Sequence, residues 1–168
     1  GETGRIRSEE LKKSVSILGV KQVEFLDFQD GHIGNNDLAK LEAAITRRIR
    51  SFSPDTLLTF NLNGVSGHLD HIAVASAATQ AFRKTKVAKK LYYFTVPNVI
   101  ARLNTDYFIY FPEGPDPADV DEIIDVSSVW DIRIKAMDQH RSQAKDISAI
   151  KSELETWEKK ECFMVRQF

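Results

Sequence analysis

The chain has 168 residues, 42% of them hydrophobic, and 23 basic residues against 24 acidic ones leave a formal net charge of −1. That length predicts a single globular domain with one buried core, and the near-neutral charge gives no electrostatic reason to expect nucleic acid or an anionic membrane as a partner. No apolar run is long enough to span a bilayer, and the lone Cys162 leaves neither an intrachain disulfide nor a cysteine-based zinc knuckle, so a cytoplasmic protein is expected.

The first predicted element is a helix in "RSEELKKSVSILGV", with Leu11, Val15 and Leu18 at helical spacing, Ser8 as N-cap and Gly19 as the stop. "KQVEFLDF" then reads as a short strand running into the polar loop "QDGHIGNN". From about Asp37 a second amphipathic helix places Leu38, Leu41, Ile45, Ile49 and Phe52 on one stripe and ends before Pro54. Arg47, Arg48 and Arg50 near its end read as a solvated face that complements the helix dipole. "TLLTFN" is a buried strand, "HIAVASAATQAF" a helix whose alanines allow close packing, and "KKLYYFTVP" another strand.

After these, "EGPDPADVDEIIDVSS" predicts a proline-rich surface loop and a strand at about Glu122 to Val126. A long helix is expected from about Val129 through "WDIRIKAMDQHRSQAKD", capped by Ser127 or Ser128. Alternating strands and helices with short links predict an α/β, Rossmann-like layered sheet of mostly parallel strands with helices on both faces.

Chemistry concentrates in "GVSGHLDHIAVASAA", at the carboxyl end of the "TLLTF" strand, where open α/β sheets bind ligands. Gly64 and Gly67 allow close approach of a ligand to the backbone, and His68 and His71 would share a face if one helical turn holds both. Asp70 points elsewhere on such a turn and either holds a histidine ring from behind or simply caps the helix. Spacing alone supplies at most two ligands of the three that a catalytic zinc needs.

Taken together, "GETGRIRSEELKKSVSILGV", "FLDFQDG", "DTLLTFNLNGVSGHLDHIAVASAA" and "IDVSSVWDIRIKAMDQHRSQ" resemble the PIG-L/LmbE-like family of zinc-dependent N-acetylglucosaminyl deacetylases, in order and over most of the chain. The resemblance implies that His71 is a ligand of zinc or another divalent metal, that His68 faces the developing oxyanion as a charged donor, and that Asp70 supports it. Arg7, in an Arg-x-x-Glu step with Glu10, matches the family's substrate-contacting arginine; read alone, it is an ordinary surface arginine. His140 and Gln143 match a C-terminal signature and are expected to serve packing or a subunit contact, so a homo-oligomer is allowed for.

Two departures qualify the match. Leu69 stands where many bacterial members carry proline, and the family's Ala-His-Pro-Asp-Asp-Glu segment, with its general base and two metal ligands, is not in these 168 residues. Asp27, Asp30 and His32 are not promoted to replace it, because "QDGHIGNN" is explained as turn chemistry. The expectation is therefore a member without its first strand and catalytic loop: a metal-dependent amide hydrolase acting on a small N-acetylated amino sugar or its conjugate, inactive as it stands. The competing expectation is a non-catalytic carbohydrate-binding or interaction module on the same fold.

Overall fold

The computed structural model describes residues 1–98 and 112–168. In chain order it contains α1 (Glu2–Ile17), α2 (Asn35–Phe52), β1 (Thr56–Phe60), the single helical turn α3 (Gly64–Gly67), α4 (Leu69–Thr85), β2 (Lys90–Thr95), β3 (Glu122–Asp125), α5 (Trp130–Met137), α6 (Ala144–Glu155) and β4 (Lys160–Gln167). Contacts gather these into two compact units, one formed by Gly1–Phe25 with Asp125–Lys160 and the other by Leu26–Ile124 with Glu161–Phe168.

In the second unit the sheet runs in the order β1-β2-β4-β3. β1 and β2 are parallel, joined through α4, whereas β4 runs antiparallel to β2, with Phe94 opposite Phe163. The sheet is thus mixed, and the expectation of mostly parallel strands is corrected. Helix-strand alternation holds for the β1-α4-β2 crossover, but β4 enters beside β2 from the opposite end and breaks the rule.

β2 shows why this region folds as it does. Leu91, Tyr93 and Thr95 alternate inward and are almost fully buried, as the two-residue period of a strand requires. Leu91 and Tyr93 join Phe82 and Ala88 in the core, with Leu57 and Met164 packed against it. The Tyr93 hydroxyl lies 2.8 Å from Thr79 Oγ1, which keeps a buried phenol satisfied. Along α4, Ala73, Ala75, Ala77, Ala78 and Ala81 are buried, and this small-residue surface lets α4 pack against β1, β2 and α2.

Three further expectations are corrected. "KQVEFLDF" forms neither strand nor helix; Phe25 and Leu26 stay largely exposed, and β-propensity without a pairing partner does not make a strand. The first helix starts at Glu2, not after Ser8, whose hydroxyl donates to Gly4 O at 2.8 Å within the helix. The long C-terminal helix is two helices, broken where His140 takes φ −83° and ψ 59° before a 3-10 turn at Arg141–Gln143.

That break has a cause inside the first unit. Glu10 of α1 is buried, and its carboxylate accepts from Ser142 N at 2.8 Å and from Ser142 Oγ at 2.6 Å. An N–H that a continuous helix would have used internally goes to another element. The two Ser142 bonds hold the Glu10 carboxyl below its ordinary value, outweighing the opposing effect of burial. Within "HRSQ", then, the residue that ties the segment down is Ser142, between the His140 and Gln143 of the sequence signature.

Candidate functional site

β1 delivers the chain to the site, and a set of polar contacts fixes the turn at its end. Asn61 N donates to Phe94 O at 2.9 Å and Asn61 Nδ2 to Thr95 Oγ1 at 3.0 Å, so the ends of the two parallel strands are joined. Gly64 N donates back to Asn61 O at 2.8 Å, and Asn63 Oδ1 accepts from Val65 N at 2.9 Å. The turn is tight enough to hold Val65 at φ 64°, a conformation that costs a β-branched residue about 1–3 kcal/mol. Asn61, Asn63 and Thr95 belong to no motif read from the sequence; their polar character at a strand end was the available signal.

The two histidines meet although they do not share a helical turn. His68 is the N-cap of α4, with extended backbone, and His71 lies in the first turn. Their ring centroids are 4.9 Å apart, and the His71 ring stacks on Phe60 at 4.0 Å with planes 5° apart. His71 Nδ1 lies 3.1 Å from Gly64 O. A carbonyl only accepts, so Nδ1 carries the proton and Nε2 keeps its lone pair, the arrangement of a histidine prepared to bind a metal or accept a proton. Burial lowers the His71 pKa, with a smaller push from His68; the Gly64 carbonyl, Asp70 and Asp30 oppose it.

His68 has the complementary tautomer. Its Nδ1 accepts from Asp70 N at 3.2 Å, so the neutral ring carries its proton on Nε2. A ring that accepts at Nδ1 donates through Nε2–H. The pair therefore presents one N–H donor and one nitrogen lone pair.

The Asp70 carboxylate bonds to the backbone of a distant loop. Only 8% exposed, it accepts from Gly31 N at 2.6 Å and Ile33 N at 3.1 Å. The "QDGHIGNN" loop is a turn, with His32 N donating to Gln29 O at 3.2 Å, and it is also drawn to α4 across almost forty residues of sequence. Arg7 lies in α1 of the first unit, half-buried.

Among the described residues no group of three His, Cys, Asp or Glu side chains is placed to hold a metal ion. The lone pair of His71 fits such an ion as one ligand. By themselves, these residues do not make a three-ligand centre, and no reaction step is routed through a metal. Among the described residues no helix is long and apolar enough to cross a membrane.

Known proteins share parts of this sequence. Residues 1–82 match the PIG-L family model, described as GlcNAc-PI de-N-acetylase, a stretch that includes Arg7, His68, Asp70 and His71. A 1D-myo-inositol 2-acetamido-2-deoxy-alpha-D-glucopyranoside deacetylase of Rhodococcus jostii (strain RHA1) is 27% identical over 84% of this chain and 62% of its own length. The protein of the same name from Saccharomonospora viridis is 28% identical over 54% of this chain and 38% of its own. A probable N-acetyl-alpha-D-glucosaminyl L-malate deacetylase 2 of Bacillus anthracis is 25% identical over 54% of the chain and 40% of its own. The chain thus spans less than two thirds of the length of each of these relatives.

Proposed function

We propose, from the match of residues 1–82 to the PIG-L family model, that the chain forms part of a hydrolase that removes the acetyl group from an N-acetylglucosamine conjugate. The observation that carries the reading is the bonding of the two rings at the end of β1, Asp70 N donating to His68 Nδ1 and His71 Nδ1 lying 3.1 Å from Gly64 O, which leaves a proton on His68 Nε2 and a lone pair on His71 Nε2. Amide hydrolysis needs a donor aimed at the oxygen that gains charge as water adds to the carbonyl. His68 Nε2–H is that donor, set by the bond from Asp70 N. His71 Nε2 is the nitrogen that would hold the zinc or other divalent metal implied by the family, which activates water when bound.

The relatives act, by their names, on glucosaminides of inositol and of L-malate. The class proposed for this chain is accordingly a small N-acetylglucosaminide whose second half carries hydroxyl or carboxylate groups. On the same premise the protein works in the cytoplasm.

The test is acetate release from N-acetylglucosaminyl inositol and N-acetylglucosaminyl malate by protein expressed from the full coding region that contains residues 1–168. Release from either supports the reading. Binding of both sugars without acetate release would favour a carbohydrate-binding module, and neither binding nor release would end the proposal.

A further inference from the structure

Asp70 occupies the first turn of α4, where an acidic side chain ordinarily faces the free N–H groups of its own helix. Here it does something else. Both carboxylate oxygens are spent on backbone donors of a distant loop, Oδ2 on Gly31 N at 2.6 Å and Oδ1 on Ile33 N at 3.1 Å. Two N–H groups from a turn converging on one anion form a small anion-binding concavity, with Gly31 at φ 77° giving the turn its shape. Charge-assisted bonds of this kind are the strong ones, and the carboxylate that accepts them is buried.

Residues 21–34 contain no helix or strand, Asp30, Gly31 and His32 are exposed, and the turn's own bonds are local, from His32 N to Gln29 O and between His32 Nδ1 and Asp30 O. The tether brings Gly31 and Ile33 to the first turn of α4, the turn that also carries His71. A segment of this kind without an anchor would open locally. Residue 70 ties its Gly31 and Ile33 amides to α4.

Building on the deacetylase reading above, we propose that Asp70 is a positioning residue whose carboxylate fixes residues 30–33 as one wall of the amino-sugar site beside His71. It acts through the loop's backbone and leaves the orientation of His68 to the backbone N–H of residue 70. The loop then offers a sugar an exposed carboxylate at Asp30 and an imidazole at His32, groups suited to hydroxyl recognition.

The experiment uses the 168-residue chain and its Asp70→Asn variant, which keeps the side-chain volume but replaces one acceptor by a donor facing an N–H. Amide hydrogen exchange by NMR is read at Gly31, Ile33 and along α4, with N-acetylglucosamine titrated into each protein. In the wild type the Gly31 and Ile33 amides should be protected and the Gly31 proton shifted well downfield. Asp70→Asn should speed exchange at those two amides by about tenfold or more, leave α4 protected and weaken sugar binding. The proposal is overturned if the two wild-type amides exchange freely, a result that needs no variant to fold. Unchanged loop amides with altered histidine ring nitrogens in Asp70→Asn would give residue 70 the ring-holding role instead. Loss of protection with unchanged sugar affinity would remove the loop from the site. No sugar binding by a wild type with protected loop amides would count against the deacetylase reading and the loop's part in it, while the tether itself stands.

Discussion

Replacing Gly64 with alanine tests the geometry that aims His71. Gly64 is buried at φ 74°, and a Cβ there would lie 2.8 Å from Ile72 Cγ1 and 3.3 Å from both His71 Cβ and Ile72 N. A left-handed conformation costs a residue with a Cβ about 1–2 kcal/mol. Relieving the contact with Ile72, whose own backbone is held in α4, adds about 1–3 kcal/mol of overpacking. The total of about 2–5 kcal/mol corresponds, for a chain of this size, to a fall in Tm of about 5–15 °C by circular dichroism. Gly4→Ala is the control: that glycine is helical, nothing lies within 4 Å of its Cβ, and the change should stabilise by up to about 1 kcal/mol. Because Gly64 O receives the His71 Nδ1 proton, the Gly64→Ala protein should also show altered His71 ring nitrogen shifts. A Gly64→Ala protein that melts within about 2 °C of wild type, with unchanged ring shifts, would refute this account of the turn.

Leu91, near the start of β2, is fully buried, so Leu91→Ala should cost about 2–5 kcal/mol in urea unfolding; a loss under about 1 kcal/mol would mean that the core is elsewhere. Glu10 has a lowered pKa, so its contribution to stability is present above the ordinary glutamate value of 4.5 and is lost as pH falls through the lower folded value. Glu10→Gln should therefore melt below wild type at neutral pH, with the gap closing in acid; a gap independent of pH would contradict the Ser142 pairing. Residues 1–168 offered zinc should show no tight one-to-one site, since the described residues group no three ligands, and stoichiometric binding in equilibrium dialysis would show that His32 or Asp30 completes one.

The sequence is most legible where interactions are short in range. α2, α4 and β2 are written in local periodicity, which is how Leu41 and Ile49, or Leu91 and Tyr93, announce a buried face, whereas β1, expected as a buried strand, leaves Leu58 66% exposed. The break between α5 and α6 could not be read this way, because it rests on a bond between Glu10 and Ser142, 132 positions apart. "KECFMVRQ" gives only a weak alternation, and without β4 the sheet reads as parallel. In the site, a strand-loop-helix context located His68 and His71. The role of Asp70 was hidden because its partners are backbone N–H groups, which every residue but proline carries and no motif marks.

The central claim, that His68 and His71 divide the work of an amide hydrolase site, is tested most directly by the rate of acetate release from an N-acetylglucosaminyl conjugate, with bound metal measured on the same samples of wild type, His68→Ala and His71→Ala in the full coding region. The account predicts that His68→Ala retains metal and loses about a hundredfold or more in turnover, as removal of an oxyanion donor does, while His71→Ala loses both. Equal loss of metal in the two variants, or turnover untouched by either, would contradict it.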